Sequence, residues 1–386
     1  MLVRCLLVIA AAQEYTKDSF PSDWILRRSL TLTDSVGMPA ELYRVRLLST
    51  SPSGRVFLVD GRDRFVQEYS RSGRFARTVG RSGQGPGEVT AIVSLGLLGD
   101  TLYLTDFLSR RLVLFGSDGR AIATLRMQSI PPPGSARGER DVFVPNVTVL
   151  LKDGTGIGRA MASTRADGRE PDEVPFLRID RAGAVLDTVV WLSIARSTTT
   201  MSGRQGPVRI TDPLSDTPLA AVVPEGGVVI VDRRVAVRPS QHLIRVVKVS
   251  ARGDTVFETK IRYQPAKVPA YVSDSVRAAL EGATIRVGVP ANQVRSIRLP
   301  SHLPAVQTVV PGQDGSTWLK LWQVRGSPTW LVLDRRGKPQ RRIQLPSNSE
   351  LLSADSGLVW LSIGGAHSRQ EVGRYVLERG VKDGER

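Results

Sequence analysis

The residues able to do chemistry are few and widely spaced. His242, His302 and His367 are the only histidines, and 60 and 65 residues separate them. Structural and catalytic zinc sites draw ligands from short local spacings, and none occurs here. Cys5 is the only cysteine, which excludes an internal disulfide and a thiolate metal cluster. No Gly-x-Ser-x-Gly elbow presents a serine nucleophile. Gly83-Gln84-Gly85-Pro86-Gly87-Glu88 has the glycine density of a phosphate cradle. It lacks the Lys-Ser/Thr pair of a P-loop, and no helical pattern follows it, so a tight turn between two structural units is the better reading.

The elements around that stretch repeat. Before it come Arg55–Asp60, Phe65–Tyr69 and Phe75–Val79; after it come Thr101–Asp106, Leu112–Phe115 and Ala121–Leu125. Each group is a short apolar strand ending in Asp, a strand ending in an aromatic residue, a Gly turn and a last strand. Alternating apolar residues with β-branched enrichment are the strand signal. The two aspartates, Asp60 and Asp106, lie 46 residues apart, a period typical of propeller blades. The opening turn and strand recur at Lys152–Ile157, Glu225–Asp232, Asp314–Leu319 and Asp355–Leu361. The sixth unit ends at Gly373–Glu378 without a last strand, while Asp23–Leu32 forms a strand with nothing of its own to pair with. Ring closure removes exposed edges. The expectation is therefore an all-β, six-bladed β-propeller in which the N-terminal strand completes the last blade.

Blades are expected at about 41–80, 90–128, 142–193, 218–263, 304–346 and 348–380. Pro131-Pro132-Pro133 opens a loop, and residues 164–173 read as an exposed hairpin loop. Residues 194–217 read as an irregular crossing. In the insert 264–303, Ser273 as N-cap, the face Val276, Ala279 and Leu280, and Gly282 as a stop predict one short helix over 273–281. Residues 1–12 read as a signal peptide, with one Arg, an apolar run and an Ala-x-Ala end, leaving 13–386 as a single exported propeller.

The net charge is +16, from 53 basic and 37 acidic residues. Such a chain is drawn to polyanions. The arginines, however, are spread over every unit, with no basic block and no basic–aromatic interleaving, which argues against nucleic acid as a partner. Trp318, Trp322, Trp330 and Trp360 cluster in the last two units and read as core.

Asp106, Arg111 and Phe115 fit the Asp, Arg-apolar, aromatic spacing of NHL-type repeats. The set Gly83, Gly85, Pro86, Gly87 and Glu88 resembles the inter-blade linker of secreted bacterial six-bladed β-propellers. The likeness is strong over about 40–127 and weaker, though in register, to 380. Val89 stands where that linker usually continues with Phe, and blade one carries Phe65 where blade two carries Arg111, with Arg64 one place early. The resemblance implies a cation site in some members, which are lactonases or related hydrolases holding a divalent ion on oxygen ligands. Transferred here, the candidates are Glu41, Glu88, Asn146 and Asn348, with calcium as the ion.

The leading expectation is an exported, monomeric, non-catalytic binding or scaffold module needing no cofactor. Its ligand would be a protein, glycan or small molecule on a loop-covered face. The alternatives are a divalent-cation-dependent hydrolase or lyase of the lactonase type, and a polyanion-binding propeller.

Overall fold

The structure is a computed structural model and describes residues 13–16, 24–38, 40–61, 65–128, 143–162, 173–193, 198–204, 206–211, 213–238, 241–323, 326–364 and 368–379. The signal-peptide reading of 1–12, the triproline loop, most of the 164–173 loop and His367 lie outside these residues.

Six antiparallel four-stranded units form the molecule. Blade one is Leu47–Thr50, Val56–Val59, Val66–Tyr69 and Phe75–Val79; blade two is Ile92–Leu98, Thr101–Asp106, Arg111–Phe115 and Ala121–Arg126. Blade three is Phe143–Leu150, Gly156–Ala162, Glu173–Ile179 and Val185–Ser193; blade four is Leu219–Val222, Val228–Arg238, Gln241–Val249 and Thr255–Tyr263. Blade five is Val306–Pro311, Thr317–Leu321, Thr329–Leu333 and Pro339–Gln344. Blade six has Ser349–Ala354, Leu358–Ile363 and Glu371–Arg379, and its fourth strand is the N-terminal Trp24–Thr31, with Trp24 opposite Arg379 and Thr31 opposite Gly373. The ring is thus closed by strand exchange between the chain ends, as the unpaired Asp23–Leu32 segment predicts.

The first strands touch around the ring: blade one against two, two against three, four against five, five against six, and six against one; blade four's first strand meets blade three through Gly156–Ala162. The core lies in the seams. Phe57, Val89, Leu102, Val113 and Phe115 fill the seam between blades one and two. Trp318 and Trp330 pack edge to face at 6.5 Å between blades five and six, joined by Trp24 and Leu26 of the closing strand. Trp360 is buried between blades six and one, so Trp318, Trp330 and Trp360 serve as core, whereas Trp322 is only half-buried and joins none of these clusters. Burying a large apolar side chain stabilises by about 1.5–3 kcal/mol, so each seam holds its blades firmly.

Two inserts differ from the sequence reading. Residues 194–217 contain an antiparallel hairpin, Thr198–Gly203 with Gly206–Thr211, where an irregular crossing is expected. Its polar threonines obscure a hairpin that packs Met201, Val208 and Ile210 inward. The helix is longer than expected, Ala270–Thr284, and is followed by the short helix Ala291–Arg295. Pro269 precedes its first turn, Ser273 Oγ donates to the Pro269 carbonyl within the helix, and Gly282 sits in open space without ending it. Hairpin and helices share one small core of Met201, Ile210, Val289, Val294 and Ile297. The two inserts flanking blade four are therefore one cap. Among the described residues no helix is long and apolar enough to cross a membrane.

Alternation of strand direction sorts the loops. Turns between second and third strands emerge on the same face as the connections between blades. Contacts bear this out: Asp60, ending a second strand, accepts from Tyr43 N at 2.7 Å in the chain leading into blade one.

Candidate functional site

The best-built site on that face surrounds the Gly83–Glu88 connection. It starts from a pair of hairpin partners, Asp106 and Arg111, which face each other across the turn of blade two. Asp106 is fully buried. Its Oδ1 accepts from Thr90 Oγ1 at 2.7 Å and Ala91 N at 3.0 Å, and its Oδ2 from Thr90 N at 3.0 Å. Burial works against ionisation, but these bonds and one to Ser109 outweigh it and hold the carboxyl below its ordinary value. Arg111 Nε lies 3.3 Å from Asp106 Oδ2.

The rest of the Arg111 guanidinium grips the connection. Nη1 donates to Gln84 O at 2.8 Å, and Nη2 to Glu88 O at 2.6 Å and Gly83 O at 3.3 Å. A guanidinium fork suits this task because its donors are rigid and diverge in one plane. Glu88 closes the loop from the other side. Its Oε2 accepts from Gly85 N at 2.8 Å and its Oε1 pairs with Arg81 at 2.8 Å. The Gly85 bond first, then Arg81, lower its pKa against desolvation. Gly83 is required here: a Cβ would meet Glu88 Oε2 at 2.0 Å.

Beside this braced loop lies a cavity of about 830 Å³. Its walls are the connection at Gln84–Pro86, the turn Leu108–Arg111, and the outer strand from Ala121 to Arg126 with Met127. No acidic side chain lines it, whereas Arg110, Arg111 and Arg126 all do. Arg111 is spent on Asp106 and the loop carbonyls. Arg126 stands directly opposite Arg111 in the strand register, an unfavourable like-charge pairing. Arg110 and Arg126 are exposed, and neither has an ion-pair partner among the described residues. Arg110 also holds φ 49°, a left-handed conformation that costs a non-glycine residue about 1–2 kcal/mol. The apolar part of the wall includes Leu108 at 69% exposure and Ile122 at 59%. Free guanidinium groups beside exposed aliphatic carbon suit a ligand with an anionic head and an apolar body.

Its fold is shared with a solved structure. An exported protein of Bacteroides fragilis matches with a TM-score of 0.50 at 10% identity, over 95% of this chain and 99% of that one. A DUF4221 family member from Bacteroides vulgatus matches at 0.44 and 8% identity, over 93% and 99%. Virginiamycin B lyase from Staphylococcus aureus matches at 0.41 and 10% identity, over 92% and 100%. At these identities the likeness shows the fold alone. No family model and no curated protein sequence matches the chain.

The residues singled out for a cation lie on or just before the first strands of four blades. Glu41, before blade one, pairs with Arg369 at 3.2 Å. Glu88 is engaged as described. Asn146, on the first strand of blade three, has a buried Oδ1 with no hydrogen-bond partner among the described residues. Asn348 is exposed in the turn before blade six, where its carbonyl accepts from Gly364 N at 3.0 Å. No hydrogen bond or ion pair joins any two of them among the described residues. There, no group of three or more His, Cys, Asp or Glu side chains is placed to hold a metal. His302 Nδ1 is 2.9 Å from Ser301 Oγ, and His242 packs against Tyr263 at 6.1 Å. Arg110 and Arg126 are not evident in sequence, because their convergence depends on a strand register that only the folded hairpin sets.

Proposed function

We propose that this chain is an exported binding propeller that holds an amphipathic anion in the blade-two cleft. The observation that carries the reading is the charge of the lining: three arginines, no carboxylate, and two guanidinium groups facing the cavity without ion-pair partners among the described residues. A discrete anion fits better than a polyanion spread over the surface, because several arginines elsewhere are already paired. Arg55 pairs with Glu68 and Asp100 at 3.0 Å each, Arg77 donates to Ser117 O at 2.6 Å, and Arg181 to Asp153 O at 2.8 Å. The test is thermal unfolding of the mature chain with octanoate and with octanol. The carboxylate raises the midpoint saturably and the alcohol does not; equal effects would refute the reading.

The cation-dependent hydrolase is a second reading, favoured by one observation, the buried Asn146 Oδ1 that lacks a donor among the described residues. A hard cation would satisfy such an oxygen. On this reading calcium raises the unfolding midpoint and Asn146→Ala abolishes the rise; a midpoint indifferent to calcium and to chelator rejects it.

A further inference from the structure

One wall of the cleft is a strand edge. Ala121–Arg126 is the outermost strand of blade two, and no described strand pairs with its outer side. Positions 121–124 are all exposed. An edge of this kind is a template for another chain, and proteins guard such edges with proline, charges or a covering segment.

The other outer strands carry guards. On blade one, Phe75 N donates to Thr33 O at 2.9 Å, so the lead-in chain guards the start of that edge, and Arg77 charges its middle. Asp187 charges the edge of blade three. Gln13–Thr16 pairs in parallel with Thr259–Arg262 and covers blade four. Blade five begins its edge with Pro339 and continues with Arg341 and Arg342. The closing strand of blade six bears Arg27 and Arg28, paired with Glu378 and Glu371. Among the described residues, Ala121–Arg126, reading Ala-Ile-Ala-Thr-Leu-Arg, is alone in combining no proline, no covering segment and no charge before its last position.

We infer that the ligand of the cleft is an extended acidic peptide segment that adds to this edge as a fifth strand. The inference rests on the anion reading of the cleft and names its partner. Three features converge on such a segment. The edge offers main-chain donors and acceptors over six residues, roughly 20 Å at strand spacing. Ile122 and Leu108 offer apolar contact to one face of an added strand. Arg126 and Arg110 stand at its end, where a glutamate, aspartate or terminal carboxylate meets them. Main-chain pairing supplies affinity in such complexes and the side-chain contacts supply choice. Blade four shows that the outer edge of a blade in this fold accepts a fifth strand.

The experiment uses the mature chain and a fluorescein-labelled pool of acetylated heptapeptides. Alternate positions are valine, isoleucine or threonine, and the others are glutamate or serine. A matched pool carries N-methyl groups on alternate amides, which preserves side chains and charge but blocks strand pairing. Octanoate runs in parallel. The inference expects saturable binding of the parent pool, at least tenfold weaker binding of the methylated pool, and about tenfold weaker parent binding by Arg126→Ala. Slowed amide exchange at 121–126 in the peptide complex accompanies it. Equal binding of the two pools overturns strand addition and leaves the anion cleft standing. Octanoate binding with both pools silent does the same. Silence of octanoate and peptides alike overturns both readings. Arg126 is exposed, so its replacement leaves folding intact.

Discussion

Arg111 donates from Nη2 to the carbonyl oxygen of Glu88 at 2.6 Å, so a strand of blade two holds the chain segment that delivers the polypeptide to that blade. Asp106 anchors the same guanidinium and also binds the backbone of Thr90 and Ala91. One buried pair thus sets the shape of the cleft wall.

Arg111→Ala leaves Asp106 buried without its cation and frees the connecting loop. Breaking a buried pair from one side costs about 3 kcal/mol or more. Urea unfolding is expected to show that loss, with faster amide exchange confined first to 83–91. Arg111→Lys recovers little, because an ammonium cannot span the diverging carbonyls.

Arg110→Gly separates stability from binding. Glycine takes a left-handed conformation freely, so the variant is expected to be as stable as the parent or up to about 1 kcal/mol more stable. It also loses one of the two free cations of the cleft, so octanoate binds more weakly. Chemical denaturation and titration of the same preparation check both halves.

Acid weakens the brace. Asp106 and Glu88 both have folded pKa values below their ordinary ones. Their stabilising contribution is fully present above the unfolded values, about 4 to 4.5, and is lost as pH falls through the lower folded values. Limited proteolysis at 83–91 is expected to stay slow at pH 5 and to quicken below about pH 4. The stability gap between the parent and Asp106→Asn should narrow over the same range.

Ring closure depends on Trp24. Its ring lies 4.4 Å from the Arg341 guanidinium and packs into the seam between blades five and six. Trp24→Ala is expected to cost about 2–3 kcal/mol, somewhat below a full core truncation because the residue is only partly buried. Equilibrium unfolding measures it, and a loss under 0.5 kcal/mol, on the order of an ordinary surface substitution, would show that the closing strand contributes little.

The propeller is legible in the sequence because each blade repeats the same turn and strand chemistry: Asp60 and Asp106 close second strands alike, and the strand missing after Gly373 is found at Trp24. The hairpin Thr198–Thr211 escapes notice because a strand rich in threonine and serine lacks apolar alternation. The cleft is only half legible. Gly83–Glu88 stands out by composition, and Arg111 by its spacing from Asp106. Arg126 enters only through its pairing with Arg111, and the left-handed Arg110 carries no sequence signal at all.

The most direct measurement is calorimetric titration of octanoate into the parent chain and into the Arg110→Gly, Arg126→Ala double variant, at low and high salt. The account expects one saturable site on the parent, weakening with salt, and at least a tenfold loss in the double variant. Undiminished binding by the double variant, or no binding by the parent at low salt, would contradict it.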